Sequence, residues 1–282
     1  MITTEFLDQL DKFHLIINKR VTSNYSGEKR SLAAGHGLTF KDHRIYAPGD
    51  DIRQIDWKVY ARTDDLYLRI FEEERNLSVH IIIDASASMN FGKSIKKYDY
   101  AAKLAVGFAY LAMKGNEKFQ FATFSEDLTV FRSKRGMNQL ASMVYHLNNV
   151  HSTGHSNFVQ SIFKYKKMIN NRSFIVLLSD FLFNIDDIKK SLYVLGDHEI
   201  KVIQIVDPVE KDFLLSGDMR LKDSETKEML KTHISPRLRQ DYRESLSNHL
   251  ASIEKTCNDL GIGFHSISTD TPIFDAFYSI LK

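Results

Sequence analysis

From Leu77 onward, short apolar runs rich in β-branched residues alternate with segments of helical spacing. The run His80-Ile81-Ile82-Ile83 reads as a strand buried on both faces and breaks off at Asp84. Phe174 to Leu178 repeats that pattern and leads to Asp180, and Ile200 to Val206 makes a third buried strand. Phe119 to Phe124 and Leu128 to Phe131 read as neighbouring strands. Ahead of them, Tyr98 to Lys114 predicts a helix that is apolar nearly all round, hence deep in the fold, with Gly115 at its end. Leu140, Met143, Val144 and Leu147 have helical spacing, as do Phe158, Ile162 and Ile169. Asp186 to Leu195 predicts another helix. Ser235 and Pro236 open a long one, with Leu238, Tyr242, Leu246, Leu250, Ile253, Cys257 and Leu260 as its apolar stripe. Phe264 to Ile267 reads as a last strand, and Thr271-Pro272 starts a closing helix. Alternation of this kind predicts an α/β fold, a doubly wound and mostly parallel sheet with helices on both faces.

Two segments break the rhythm. Phe213 to Thr232 is polar and reads as an inserted hairpin. The first 76 residues form a small, strand-containing extension ahead of a domain over 77–282. Within it, Phe6, Leu10, Phe13 and Ile17 share a helical face over Thr4 to Ile17, and Val21 to Glu28 reads as a loop. From Gly37 the pattern turns extended, with a turn at Tyr46-Ala47-Pro48-Gly49-Asp50-Asp51 and a strand over Leu66 to Phe71.

Bulk properties narrow the class. At 282 residues, 43% hydrophobic and 26% charged, the chain has the make-up of a globular protein, and a net charge of +2 gives no sign of nucleic-acid binding. The lone Cys257 allows no intrachain disulfide and fits a reducing compartment, so the expected location is cytoplasmic. The first residues lack a signal-peptide pattern, and no apolar run reaches the length of a membrane span.

Asp84-Ala85-Ser86-Ala87-Ser88 places one carboxylate and two hydroxyls where a buried strand ends, at the rim where open α/β sheets bind ligands. Asp180 ends a second such strand, and Ser152-Thr153-Gly154-His155-Ser156-Asn157 is a small-residue loop entering a helix. Together they offer an oxygen shell with one position open: Asp84, Ser86, Ser88, a loop hydroxyl and Asp180. Hard oxygen donors suit Mg2+, with Mn2+ or Ca2+ as alternatives. The competing reading makes Asp84 to Ser88 a polar helix-capping loop and Ser156 the cap of the helix after it. His151 and His155 are four apart, but Gly154 between them argues against a zinc-binding helix. Lys164, Lys166, Lys167 and Arg172 read as a solvated helix face, and Phe71-Glu72-Glu73-Glu74-Arg75 as a solvated charge cluster.

On these residues the chain resembles a von Willebrand factor A domain. Asp84, Ser86 and Ser88 match that family's D-x-S-x-S metal-ion-dependent adhesion motif. Ser156 stands where the glycine-rich loop usually carries a threonine, with Thr153 as the alternative, and Asp180 matches the Thr-Asp-Gly segment, although Phe181 replaces the glycine. Upstream, Arg44, Tyr46, Gly49, Asp50, Arg53, Asp56 and Trp57 fall in a stretch that resembles the signature of one prokaryotic branch, domain-of-unknown-function family fifty-eight, often encoded beside MoxR-type AAA+ ATPases. This stretch is either a partner-binding surface or, as we favour, a turn with packing, in which Trp57 is buried and Arg53 pairs with Asp56.

The resemblance implies a non-enzymatic, divalent-metal-dependent adaptor, to which a partner protein supplies an acidic residue, with a MoxR-type ATPase as the expected associate. The alternative is a metal-dependent phosphatase or hydrolase. Ser86 stands where an aspartyl-phosphate phosphatase would carry its second acid, Ser86 lacks the flanking glycines of a hydrolase elbow, and no P-loop is present. A scaffold with an empty site is a third reading.

Overall fold

The computed structural model describes residues 2–13, 39–72, 78–92, 94–213, 217–224 and 228–282. The chain divides into two compact units, Ile17–Asn76 and the remainder.

The larger unit is built on a six-stranded sheet. Its strands are β3 (Ser78–Asp84), β4 (Lys118–Phe124), β5 (Leu128–Lys134), β6 (Phe174–Ser179), β7 (Glu199–Val206) and β10 (Gly263–Ser268), in the order β10-β7-β6-β3-β4-β5. All neighbours run parallel except β5, which pairs antiparallel with β4. The doubly wound, mostly parallel α/β fold expected from the sequence is the fold found. Both faces are covered, which is why the central strands are apolar without alternation. Val79, Ile81, Ile83, Val176, Leu178, Ile203 and Ile205 enter one hydrophobic core, and Ile82, Ile175, Leu177, Ile200 and Val202 enter the other.

Over the first face lie α3 (Lys97–Lys114), α4 (Met137–Asn149) and α9 (Ile273–Leu281), and over the second α5 (Phe158–Lys166), α6 (Ile185–Val194) and α8 (Pro236–Asp259). As its composition predicts, α3 is buried nearly all round. Gly107 lets it approach α9, because a Cβ there would lie 1.9 Å from the Phe277 ring. The apolar stripe of α8 is buried only in its second half, at Ile253 and Cys257, while Leu238 is exposed. The inserted hairpin is present as β8 (Gly217–Lys222) and β9 (Met229–Ile234), preceded by the short α7 (Pro208–Asp212). The closing helix starts one residue later than cap logic predicts, with Pro272 at the N-cap.

The expected 1–76 extension is split. Residues 4–13 form a helix, α1, that belongs to the larger unit. Phe6 and Leu10 are buried in its core, and the Asn148 side chain bonds both the amide and the carbonyl of Ile2, at 2.9 and 3.1 Å. Ile17 and the expected loop over 21–28 lie outside the described residues, as do Glu73, Glu74 and Arg75.

In the smaller unit, β1 (Thr39–Ile45) and β2 (Tyr67–Glu72) pair antiparallel, and α2 (Trp57–Thr63) lies between them in sequence. Asp50 holds the turn: its carboxylate accepts from the Ala47 amide at 2.8 Å and from Arg44 at 2.7 Å, while Gly49 adopts φ +106°. Two details of the packing expectation are corrected. Trp57 is not buried but 59% exposed, edge-on to Tyr60. Asp56 pairs with His43 at 3.0 Å instead of Arg53, and it caps α2 by accepting from the Lys58 and Val59 amides.

Candidate metal centre

The chain leaves β3 toward β4 on one side of the sheet and returns to β6 on the other. The carboxyl ends of β3 and β6 therefore flank the topological switch point, where open α/β sheets form their crevice. Asp84 ends β3 and Asp180 directly follows β6.

Asp84 is fully buried. Its Oδ1 accepts the Ser86 amide at 2.9 Å, and its Oδ2 accepts the Ser179 hydroxyl at 2.7 Å. Burial, and then the nearby Asp180 carboxylate, push its pKa well above the ordinary aspartate value. The Ser86 and Ser88 hydroxyls lie 3.1 Å apart. Ser86 holds the N-cap position of a single 3-10 turn, Ala87–Asn90, but its side chain makes no capping bond, which weighs against a purely structural role for the hydroxyl.

The loop over 152–157 comes to the same end of the sheet, since the Ala87 amide donates to the Gly154 carbonyl at 3.1 Å. Gly154 has φ +79°, and a Cβ there would fall 2.6 Å from the Glu126 carboxylate. Asn157 pins the loop, its amide to the Ser125 carbonyl and its side chain to that of Glu126, each at 2.8 Å. Ser156 is half-buried in this loop, and the cap position of α5 falls to Asn157, not to Ser156. Thr153 is exposed, with its hydroxyl directed to the His151 carbonyl. The signature residues Arg44 to Trp57 belong to the smaller unit, where they form the turn and cap described above.

Asp180 is held on all sides. The Gln204 side chain donates to its carbonyl at 2.9 Å, and Ser266 in turn bonds Gln204. Phe181 adopts the left-handed conformation, φ 51°, at the position where the resembled family carries glycine. It is completely buried against Phe158 and Phe183, so aromatic packing holds a backbone shape that sequence alone left open.

Sequence reasoning missed three residues here. Ser179 orients Asp84, as given above. Lys97, at the first turn of α3, is completely buried, and its Nζ donates to Asp180 Oδ2 at 2.9 Å and to Glu210 Oε1 at 2.8 Å. Burial alone would pull the ammonium toward neutrality, but the Asp180 and Glu210 carboxylates outweigh it and hold its pKa above the ordinary lysine value. A lysine opening an otherwise apolar helix, at the end where the dipole disfavours cations, was a readable signal. Glu210 gave none, because Asp207 and Glu210 form a capping box on α7 that fully accounts for them in sequence.

Two carboxylates, Asp180 and Glu210, thus share one buried ammonium, and the buried Asp84 carboxylate lies near Asp180. Hydroxyl and carboxylate oxygens without soft donors fit a hard divalent cation, which Asp84, Ser86, Ser88 and Asp180 would hold with Ser156 from the loop. Among the described residues no three His, Cys, Asp or Glu side chains converge on one point, so such a cation depends on the serine hydroxyls. His151 and His155 are exposed loop residues.

Residues 42–252 match the family described as Protein of unknown function DUF58. The chain is 25% identical over 266 residues to the uncharacterized protein Rv1480 of Mycobacterium tuberculosis, covering 93% of this chain and 84% of that protein. It is 21% identical over 140 residues to the uncharacterized YeaD of Bacillus subtilis, covering 50% of this chain and 33% of YeaD. Among solved structures, the SpRpn10 VWA domain superposes with a TM-score of 0.47 at 13% identity, covering 72% of this chain and 94% of that domain. BatB from Bacteroides thetaiotaomicron gives 0.43 at 12%, covering 73% and 98%.

Proposed function

We propose that this chain, which belongs to the DUF58 family, is a non-enzymatic interaction module whose bound divalent cation recruits an acidic side chain from a partner protein. The observation that carries this reading is the charge imbalance at the switch point, where Asp180 and Glu210 share one buried ammonium and the buried Asp84 carboxylate lies near Asp180, beside two adjacent serine hydroxyls. Buried like charges repel strongly in low dielectric, and a dication relieves that repulsion. When bound, the cation supplies a positive centre for an anionic ligand. The chain's own groups do the rest. Ser179 and the Ser86 amide fix the Asp84 carboxylate, Gln204 fixes the Asp180 backbone, and Gly154 brings the 152–157 loop to Ala87.

The enzymatic alternative is less well supported. An aspartyl-phosphate phosphatase would carry a second acid two residues after Asp84, where Ser86 stands. The Ser86 hydroxyl is bonded to Ser88, not to a histidine base. We assign Mg2+ as the cation, with Mn2+ or Ca2+ as substitutes, and a MoxR-type AAA+ ATPase as the associate that the family resemblance implies. The buried Cys257 fits a reducing, cytoplasmic setting, and among the described residues no helix is long and apolar enough to cross a membrane.

Calorimetric titration with MgCl2, together with a pull-down against the candidate ATPase in magnesium or in chelator, tests the reading. The wild-type protein should bind Mg2+ and retain the partner only with the metal present. Asp84→Ala should lose both while keeping a native circular dichroism spectrum. Equal partner retention by Asp84→Ala in magnesium overturns the reading.

A further inference from the structure

Lys97 and Glu210 lie outside the candidate ligand set, yet the ammonium touches one of its members. Lys97 has no exposed surface, and the Asp180 and Glu210 carboxylates bonded to it are 3% and 21% exposed. An ammonium this deep is retained only with its partners in place. It arrives from α3, Asp180 from the end of β6 and Glu210 from α7, so three separate elements meet at one nitrogen.

From this geometry we infer that Lys97 is a built-in competitor of the divalent cation and Glu210 its counterweight, the two together setting how tightly the site holds metal. The inference rests on the cation reading above. Asp180 is shared between the ammonium on one side and the ligand set on the other, so the two positive centres repel across a single carboxylate. The ammonium thereby weakens the metal. Glu210 draws on the same ammonium and offsets part of that repulsion. With Asp84, Asp180 and Glu210 ionised against Lys97, the site carries two net negative charges, matched to a dication. Charge is the property at issue, and it gives the two positions opposite signs. A residue that matters only for packing gives the same sign at both.

The test is calorimetry and thermal melting of the full chain with MgCl2 and with MnCl2, on wild type, Lys97→Met, Lys97→Arg and Glu210→Gln. Lys97→Met should bind Mg2+ at least about tenfold more tightly than wild type, since a unit charge near the site is worth more than that in a protein interior. Its melting temperature should also rise further on adding metal than wild type's does, because at one ligand concentration a tighter ligand stabilises the fold more, with the logarithm of its affinity. Lys97→Arg keeps the charge and should stay near wild type. Glu210→Gln, on a part-exposed side chain, should bind about tenfold more weakly. Folding of Lys97→Met only in the presence of Mg2+ also supports the inference. Weaker or unchanged binding by a natively folded Lys97→Met overturns it, as does unchanged binding by Glu210→Gln. If Lys97→Met does not fold with or without metal, Glu210→Gln decides. Wild type that binds none of Mg2+, Mn2+ and Ca2+ overturns the cation reading itself, and this inference with it.

Discussion

The Ser179 hydroxyl donates to Asp84 Oδ2 at 2.7 Å from the neighbouring parallel strand, while its oxygen accepts the Phe181 amide at 3.1 Å. One side chain therefore fixes the Asp84 carboxylate and the turn that follows Asp180. Ser179→Ala leaves a buried carboxylate oxygen short of a donor, which typically costs about 1–3 kcal/mol. Urea denaturation should show that loss, and magnesium titration should show weaker binding. A variant matching wild type in both measurements contradicts the orienting role.

Gly107 marks where α3 and α9 come closest. A methyl group there would meet the Phe277 ring, itself completely buried. Gly107→Ala should destabilise by roughly 1–3 kcal/mol, in the range of overpacked cores, despite the better helix propensity of alanine. The double variant with Phe277→Leu should recover part of the loss, and strict additivity of the two changes would show that the ring is not the obstacle.

His80 supplies a pH dependence. It is buried in the sheet with Nδ1 2.9 Å from the Tyr165 hydroxyl, and burial first, then His198, lower its pKa from the usual histidine range to about 4. The fold favours the neutral ring, so its contribution is complete above the unfolded value and is lost as pH falls toward 4. That gap is worth roughly 3 kcal/mol. Denaturation midpoints at pH 7 and pH 4.5 should differ less in His80→Asn than in wild type. Equal pH dependence of the two proteins would remove His80 from the account.

Phe181 inverts a usual order of substitution. Its left-handed backbone favours glycine, while its buried ring favours an aromatic. Phe181→Ala loses the ring and keeps the strain; Phe181→Gly loses the ring and relieves about 1–2 kcal/mol of that strain. Both should be less stable than wild type, with glycine the milder change by thermal melting. Alanine proving milder would mean that the turn relaxes once the ring is gone.

How far the sequence could be read follows from which forces are local. Ile81 to Ile83 announced a doubly covered strand because burial on both faces leaves no polar position, and Asp84 and Asp180 stood out because an acid ends each run. Ser235 and Pro236 gave the start of α8 correctly, since capping is a short-range bond. Trp57 was misjudged because apolar character does not say whether a neighbour exists to cover it, and it is exposed. The Lys97–Glu210 bond spans 113 residues and leaves no periodicity behind. The first helix was assigned to the wrong unit for the same reason, since its amphipathic face was plain but its partners, Asn148 and Phe274, lie far along the chain.

The ammonium shared by Asp180 and Glu210 also joins parts of the chain that leave the ribosome at different times. A nascent chain that has emerged only as far as Asp180 still lacks Glu210, one of the two carboxylates on Lys97, and the Gln204 that steadies the turn. Those charges are matched only after β7 and α7 have left the ribosome.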